Sequence, residues 1–149
     1  MLGLRKLAFA DMAAAAAVHR ASFDQALPAL AGLHTPEEDR AFYHTQVFQV
    51  CQVWGAEKQS KLVGIVAFRE DWIDQLYVLP DAQGRGVGSD LLEIAQKAFP
   101  VLNLWTFQRN ARARRFYELN GFLAIRETDG ADNEEKEPDV LYRWKRALS

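Results

Sequence analysis

Residues 78–92, "VLPDAQGRGVGSDLL", decide the fold because they combine the end of a strand, a glycine-rich turn and the start of a helix. Gly84, Gly86 and Gly88 alternate around Arg85. Inside a helix each glycine costs about 1 kcal/mol relative to alanine, so this cluster needs a compensating use. Downstream, apolar residues recur at helical spacing, namely Leu91, Leu92, Ala95 and Phe99. The stretch therefore predicts a strand, a tight turn and a helix, in that order.

Such a turn can bind an anion. The first N–H groups of a helix have no partner within the helix, and the helix dipole adds partial positive charge there. Without side chains at Gly84, Gly86 and Gly88, a phosphate can reach those donors, and Arg85 can add charge from the rim. Residues 83–89 are therefore predicted to hold a phosphate or pyrophosphate. A glycine-rich turn without a ligand is the alternative.

Two common nucleotide-binding motifs do not fit this turn. The dinucleotide fingerprint G-x-G-x-x-G would need a glycine where Ser89 stands. It would also need an acidic residue about 20 positions further on, where the chain reads "QRN" at 108–110. The Gly-Lys-Ser/Thr sequence of a P-loop does not occur in the chain.

The rest of the sequence predicts strands and helices of one mixed α/β domain. A helix over 12–24 is expected to begin at Asp11 as its N-cap, and a second helix at Thr35 with Pro36 as its first residue. After the helix that follows the glycine turn, a fourth helix over 110–120 should end at Gly121. The predicted strands are 3–9, 51–57, 61–70, 72–80, 101–107, 122–127 and 140–145.

Composition limits the class of protein. The 149 residues suit one domain, and a net charge of −2 with a pI near 5.9 argues against a nucleic-acid surface. No apolar run is long enough to predict a membrane span, and Asp11 interrupts the apolar stretch that could resemble a signal peptide. The single cysteine, Cys51, favours a reducing, cytoplasmic setting.

A second motif narrows the function. "QGRGVG" at 83–88 follows "LYVLP", and "NARARRFYELNGF" follows about 20 residues later. Over residues 73–92 and 104–122 the chain resembles the GNAT superfamily of acyl-CoA-dependent N-acetyltransferases, as a small single-domain member of bacterial type. The resemblance implies an α/β fold with a mixed central sheet of about six to seven strands, splayed between two parallel strands, and about four helices. It also implies transfer of an acetyl group from acetyl-CoA to a primary amine by direct attack in a ternary complex, without a metal.

The resemblance places the cofactor between strands 73–79 and 101–107. The backbone of Leu76, Tyr77 and Val78 would pair with the pantetheine amides as an added strand does, and one of these N–H groups could stabilise the oxyanion. The pyrophosphate would lie on the residues of the glycine turn, which are Gln83, Gly84, Arg85, Gly86, Val87, Gly88 and Ser89.

Asn110 and Tyr117 are seven residues apart, so two helical turns bring them to nearly the same face, about 10 Å apart. By the resemblance, Asn110 holds the pantetheine arm and the Tyr117 hydroxyl protonates the departing thiolate as a general acid. The alternatives are that Asn110 is only an N-cap and that Tyr117 is a core tyrosine. Phe116 and Leu119 are expected in the core.

The sequence does not decide which group is the general base. Asp74 is the best-placed carboxylate, with Glu70 and Asp71 behind it, although it could equally be a solvated acid and ordered water could serve instead. His34 and His44 flank the second helix and are further candidates. With His19 they show no metal-ligand spacing.

The acceptor amine is expected beside the first two helices and the loop before the last strand. That loop carries six acids, which are Asp129, Asp132, Glu134, Glu135, Glu137 and Asp139. They are either a solvated run or a site that favours a cationic amine, such as a polyamine, an amino sugar, a lysine or an N-terminus. His34, Glu134 and Glu135 are the substrate candidates, and Trp54, Trp72 and Trp105 could line the pocket or the core.

A second class of function stays open, since cofactor motifs report binding and not turnover. A non-catalytic acyl-CoA-binding regulatory module would carry the same glycine turn. In either case the expected partners are small or peptide amines, without nucleic acid or membrane, and the protein is expected as a monomer or homodimer.

Overall fold

A computed structural model describes residues 2–147. Seven strands form one sheet: β1 (Leu2–Lys6), β2 (Gln52–Lys58), β3 (Lys61–Arg69), β4 (Trp72–Val78), β5 (Val101–Phe107), β6 (Leu123–Thr128) and β7 (Asp139–Lys145). Their spatial order is β1-β2-β3-β4-β5-β7-β6. All neighbouring strands are antiparallel except β4 and β5, which are parallel. The sequence prediction of a mixed sheet with one parallel pair at its centre is confirmed.

Four helices cover the two faces of the sheet in the described part of the chain. They are α1 (Met12–Ala26), α2 (residues 36–50), α3 (Val87–Ala98) and α4 (Ala111–Leu119). On one face α1 and α2 enclose a core around Met12, Tyr43 and Ile65. On the other face α3 and α4 enclose a larger core that includes Leu91 and Tyr142.

The second helix begins as predicted and continues further. The Thr35 hydroxyl accepts from the N–H of Glu38 at 3.1 Å, and the Glu38 carboxylate accepts from the N–H of Thr35 at 2.8 Å. This capping box fixes the start of Pro36–Phe42. The helix then widens into a π-helical segment, Tyr43–Val47, and ends with one turn, Phe48–Val50.

Asp11 occupies the predicted N-cap position of α1, but its side chain makes no cap hydrogen bond to that helix. Its carboxylate instead accepts from the N–H of Ala8 at 2.7 Å and pairs with Arg5 at 2.9 Å. A single 3₁₀ turn at Phe9–Asp11 precedes α1, and β1 accordingly ends at Lys6, three residues before the predicted limit. Asp11 therefore stabilises the segment that precedes α1 and not the first turn of α1.

The sheet opens between its two parallel strands. In the described chain β4 and β5 pair only at Trp72 and Asn103, although each strand is seven residues long. Beyond this pair the two strands diverge. The backbone edges that face each other there lack strand partners, and the divergence creates a gap (the inter-strand gap) at the centre of the molecule.

Among residues 2–147, no helix has both the length and the apolar character that crossing a membrane requires.

Candidate functional site

The inter-strand gap opens into a cleft of about 620 Å³, here called the main cleft. Its walls are β4, β5, the end of α1, the glycine turn and the start of α4. The predicted site residues that line it are Asp74, Leu76, Tyr77, Val78, Gln83, Gly84, Gly86, Gly88, Ser89, Asn110 and Tyr117. One concave surface thus collects residues from both sequence motifs.

Only alternate residues of β4 direct their backbone groups into the gap. The N–H of Leu79 donates to the carbonyl of Val63 at 2.8 Å, and β3 pairs with β4 in antiparallel register. Since hydrogen-bonded and non-bonded pairs alternate in such a ladder, Tyr77 faces β3 while Leu76 and Val78 face the gap. The expectation for Tyr77 is therefore corrected, because its N–H and C=O belong to the sheet.

The carbonyl of Val78 already has partners. The Ser22 hydroxyl lies 2.9 Å from it, and the Gln83 amide donates to it at 2.9 Å. Gln83 therefore ties the glycine turn to the end of β4. Among the backbone groups of Leu76 and Val78 that face the gap, this carbonyl is the one engaged by side chains.

The glycine turn presents helix donors to the open end of the cleft. Gly84 and Gly86 adopt φ angles of +78° and +83°, which L side chains rarely adopt. Gly86 directly precedes α3. The exposed positions of the turn are available to an anion, whereas the side chain of Val87 is buried in the core and contributes only its N–H. Arg85 is exposed and lies outside the cleft lining.

Asn110, the N-cap of α4, and Tyr117 within α4 both line the cleft. The Asn110 side-chain oxygen accepts from the N–H of Ala113 at 3.1 Å, so the residue caps the helix and also lines the cleft. Tyr117 is 8% exposed. Burial, with a further contribution from Tyr77, raises the pKa of Tyr117. Its hydroxyl therefore stays protonated at neutral pH.

Of the two residues of α4 expected in the core, Phe116 packs there and Leu119 does not. Phe116 packs against the core and also lines the cleft, and its ring would lie 3.2 Å from a Cβ at Gly88. Leu119 is 79% exposed, so its assignment to the core was wrong. Two residues beyond Tyr117 is about 200° around the helix, which turns Leu119 away from the sheet.

Asp74 occupies an irregular position in β4. Ala67 pairs with Gln75 and Phe68 with Ile73, so Asp74 is an extra residue in the ladder, a β-bulge. One carboxylate oxygen accepts from Arg69 Nε at 2.8 Å and from the Cys51 thiol at 3.2 Å. Burial and this carboxylate raise the pKa of Cys51 to about 12, so the thiol stays neutral and donates.

The other candidate bases lie away from the cleft lining. Glu70 and Asp71 form the turn between β3 and β4, where the carbonyl of Asp71 accepts from the N–H of Asn103 at 2.7 Å. His44 contacts the carbonyl of Arg40 and the ring of Phe9. Asp74 is the carboxylate of the predicted set that reaches the cleft.

His19 is half-buried and contacts Tyr77, one of the residues that line the cleft. Its Nδ1 lies 2.7 Å from the Tyr43 hydroxyl, and its ring stacks on Tyr77 at 4.2 Å. Burial, with a smaller effect of Arg20, lowers the pKa of His19 to about 4. The imidazole is therefore neutral at pH 7. No group of three or more His, Cys, Asp or Glu within the described residues is arranged to hold a metal ion.

The loop before β7 is held by hydrogen bonds and an ion pair to the residues that follow β5. Gln108 donates to the carbonyls of Thr128 and Asp139, each at 3.0 Å, and Arg109 pairs with Glu137 at 2.9 Å. Gln108 and Arg109 directly precede Asn110, which lines the main cleft. The residues that bond this loop are therefore next to a cleft residue in the chain. The two ends of the loop are thereby fixed to the end of β5.

A second concavity, here called the acidic pocket, adjoins the main cleft. Four loop acids line it, Asp129, Asp132, Glu135 and Asp139, together with the aromatic side chains of Trp105 and Phe107. Glu134 does not line this pocket, and its carboxylate is 3.0 Å from His34 Nε2. The structure thus brings His34 and Glu134 into contact and places Glu135 in the pocket.

Glu135 also acts on the middle of β4. Burial raises the pKa of Tyr77, while Arg20 lowers it to a lesser extent and the Glu135 carboxylate raises it slightly. Glu135 itself lines the acidic pocket.

Two aromatic residues of the site were missed by the sequence reasoning. Phe23 on α1 and Phe107 at the end of β5 meet edge to face at 6.3 Å, and both line the cleft. Only their positions at element ends could have indicated them. Of the three tryptophans considered, Trp105 faces the cleft, whereas Trp54 packs on the core and Trp72 lies beside Arg69.

Comparison with known proteins agrees with this geometry. Residues 49–123 match the family described as acetyltransferase (GNAT) domain. Over 75 residues the chain is 36% identical to the peptidyl-lysine N-acetyltransferase YiaC of Escherichia coli strain K12, covering 50% of this chain and 51% of that protein. The chain thus aligns with about half the length of the curated relatives it matches.

Two solved structures share the fold over nearly the whole chain. The apo form of YjaB from Escherichia coli superposes with a TM-score of 0.82 at 22% identity, covering 99% of each chain. The structure of yncA from Salmonella typhimurium with acetyl-CoA superposes with a TM-score of 0.72 at 16% identity, covering 100% of this chain and 96% of that one. The chain belongs to the GNAT family of acetyltransferases.

Proposed function

We propose that this protein transfers an acetyl group from acetyl-CoA to a primary amine, by direct attack of the amine on the thioester in a ternary complex. The observation that carries the proposal is the inter-strand gap, whose β4 edge offers unpaired backbone groups and whose open end is the glycine turn. Family membership supports the same activity.

The cofactor would lie along β4. Its pyrophosphate would accept from the first N–H groups of α3, at Val87, Gly88 and Ser89, where the glycines leave room. Its pantetheine amides would pair with the gap-facing backbone of Leu76 and Val78, and the Asn110 amide would hold the arm from α4. The Gln83 amide, which bonds the Val78 carbonyl, would have to share or release that acceptor.

Tyr117 would act as the general acid. The amine nitrogen forms a bond to the thioester carbon and gives a tetrahedral intermediate. When this intermediate collapses, the C–S bond breaks and the electron pair leaves on the sulfur of CoA. A buried phenol that remains protonated can donate its proton to that thiolate. A gap-facing N–H of β4 would stabilise the oxyanion of the tetrahedral intermediate.

Asp74 would take the proton from the amine, directly or through a water. An amine with a pKa near 10 is mostly ammonium at pH 7, so deprotonation is required before attack. The bulge of β4 directs Asp74 toward the cleft, and Arg69 with Cys51 holds one carboxylate oxygen. The other oxygen has no partner among the described residues and is free to accept a proton.

The acceptor would be a cationic amine, and a lysine side chain of a peptide or protein is the form we favour. The acidic pocket with its aromatic wall lies beside the main cleft and supports a positively charged substrate. The name of YiaC, a peptidyl-lysine N-acetyltransferase, supports the same acceptor.

The test is release of CoA from acetyl-CoA across a panel of lysine peptides, polyamines, amino sugars and peptides with a free N-terminus. We expect release and acetylation in equal amounts with at least one lysine peptide. Binding of acetyl-CoA without acetylation of any amine would instead identify a regulatory acyl-CoA-binding module.

A further inference from the structure

The inter-strand gap ends at an apolar floor. Just past the Trp72–Asn103 pair, the next residue on each strand is Ile73 on β4 and Leu104 on β5. Both side chains line the main cleft, yet they are only 4% and 1% exposed. The Leu104 side chain therefore lines the cleft with a small part of its surface, and the remainder packs in the core.

The floor is held rigidly. The backbone N–H and the side-chain amide of Asn103 both donate to the carbonyl of Asp71, at 2.7 and 3.0 Å. Arg143 Nε donates to the Asn103 side-chain oxygen at 2.8 Å. Because these bonds fix the strands where they meet, the gap cannot lengthen without breaking them.

A cofactor in the proposed orientation delivers its acyl group to this floor. The arm runs from the glycine turn back along β4, past Val78 and Leu76, toward Ile73. Tyr117, Ile73 and Leu104 belong to one buried cluster, and all three line the main cleft. A sulfur held at the Tyr117 hydroxyl would therefore share this cleft with the floor. The amine approaches from the opposite face, where α1 and the acidic pocket lie. The tail of the acyl group then points toward the apolar floor formed by Ile73 and Leu104.

We propose that Leu104, together with Ile73, limits the acyl group to two carbons and makes the protein selective for acetyl-CoA over longer acyl-CoA thioesters. This inference rests on the proposed function and adds the acyl specificity of the same site. A butyryl group carries two more carbons than acetyl, and a packed core accommodates added carbons only by displacing its neighbours. Each misplaced methylene in such a pocket costs about tenfold or more in kcat/KM.

The experiment compares acetyl-, propionyl- and butyryl-CoA with one amine acceptor, in the wild type and in Leu104→Ala. The substitution removes three carbons at the floor, enough to admit the butyryl tail. We expect wild-type kcat/KM to fall steeply from acetyl to butyryl. In Leu104→Ala the ratio of butyryl to acetyl should rise by about tenfold or more.

Leu102→Ala is the matched control. Leu102 lies on the same face of β5, two residues earlier, and is 0% exposed, but it does not line the cleft. It should lose comparable stability while the ratio of butyryl to acetyl stays at the wild-type value. If Leu104→Ala does not fold, Leu104→Val is the smaller substitution. In that variant the ratio of kcat/KM for propionyl-CoA to that for acetyl-CoA should rise above the wild-type value.

Two results would overturn the inference. One is a wild type that uses butyryl-CoA as well as acetyl-CoA, and the other is an unchanged ratio in folded Leu104 variants. If no acyl group is transferred by any form, the proposed function has failed. In that event, calorimetric affinities for acetyl-CoA and butyryl-CoA, which need no acceptor, still decide whether Leu104 limits the acyl length.

Discussion

At the scale of single residues, the proposed chemistry depends most on Tyr117. Its position two helical turns from the N-cap Asn110 could be predicted from sequence spacing. Its burial could not, because Leu119 in the same helix is fully apolar and yet 79% exposed. Which face of a short helix packs on the sheet depends on the sheet, and spacing alone does not fix it.

Tyr117→Phe should lower kcat for acetyl transfer by about 10²-fold, because the thiolate loses its proton donor. Acetyl-CoA affinity and thermal stability should hardly change, since the ring remains. Steady-state kinetics under conditions where chemistry limits the rate provide the measurement.

Tyr142→Phe is the control for that variant. Tyr142 lies 6.2 Å from Tyr117, and its hydroxyl donates to Glu118 at 2.6 Å, away from the cleft lining. Loss of this hydroxyl, which bonds both Glu118 and Arg114, should cost about 2 kcal/mol of stability and leave kcat unchanged. Equal kcat in both variants would assign Tyr117 to packing only.

The titration of His19 should make the free energy of unfolding depend on pH. Its pKa is about 4 in the folded protein, against 6.5 unfolded, so between these values the unfolded chain binds more protons. Stability should therefore fall as pH drops from 6.5 toward 4, by at most roughly 3 kcal/mol. Denaturant unfolding of the wild type and His19→Gln at pH 7 and pH 5 measures the effect. The slope with pH should be smaller in the variant; equal slopes would mean that His19 titrates normally.

At the scale of elements, the glycine turn and α3 form the proposed anion site. The order of strand, turn and helix was predictable because glycine and proline mark it in the sequence. Two local features were not. The bulge that admits Asp74 into β4 and the π-helical segment in α2 each depend on packing against neighbouring elements. The backbone alternation that excludes Tyr77 follows from the pairing of β4 with β3, which no spacing within β4 reveals.

Gly86→Asp and Gly86→Asn test the turn as a pair. Both side chains tolerate a positive φ better than other residues, and a Cβ at Gly86 meets open space, so folding should be retained in each. The two differ by one charge. We expect acetyl-CoA to bind Gly86→Asp about tenfold or more weakly than Gly86→Asn, because the carboxylate repels the pyrophosphate. If calorimetry gives equal acetyl-CoA affinities for the two variants, the pyrophosphate does not bind at this turn.

At the scale of the whole molecule, two distant loops meet beside the cleft. His34, before α2, contacts Glu134, before β7, and Glu135 of the same loop lines the acidic pocket. The sequence indicated both loops as acceptor candidates. Their contact could not be predicted, since 100 residues separate the partners in the chain.

Glu134→Gln with Glu135→Gln should raise KM for a cationic peptide several-fold at low salt, with a smaller effect at high salt. The KM for acetyl-CoA should stay at the wild-type value. Glu57→Gln with Glu93→Gln removes the same charge from residues outside both lined pockets and serves as the control. If both double variants keep the wild-type peptide KM at low salt, the acidic loop does not attract the acceptor.

The central claim is that this chain moves an acetyl group from acetyl-CoA to an amine. Its most direct test is mass spectrometry of lysine peptides incubated with the protein and acetyl-CoA, with free CoA measured in the same reaction. We predict one acetyl group on the peptide for each CoA released, at a rate that Tyr117→Phe lowers about 10²-fold. Normal binding of acetyl-CoA with no acetylated peptide and no free CoA, across all amine classes of the panel, would contradict it.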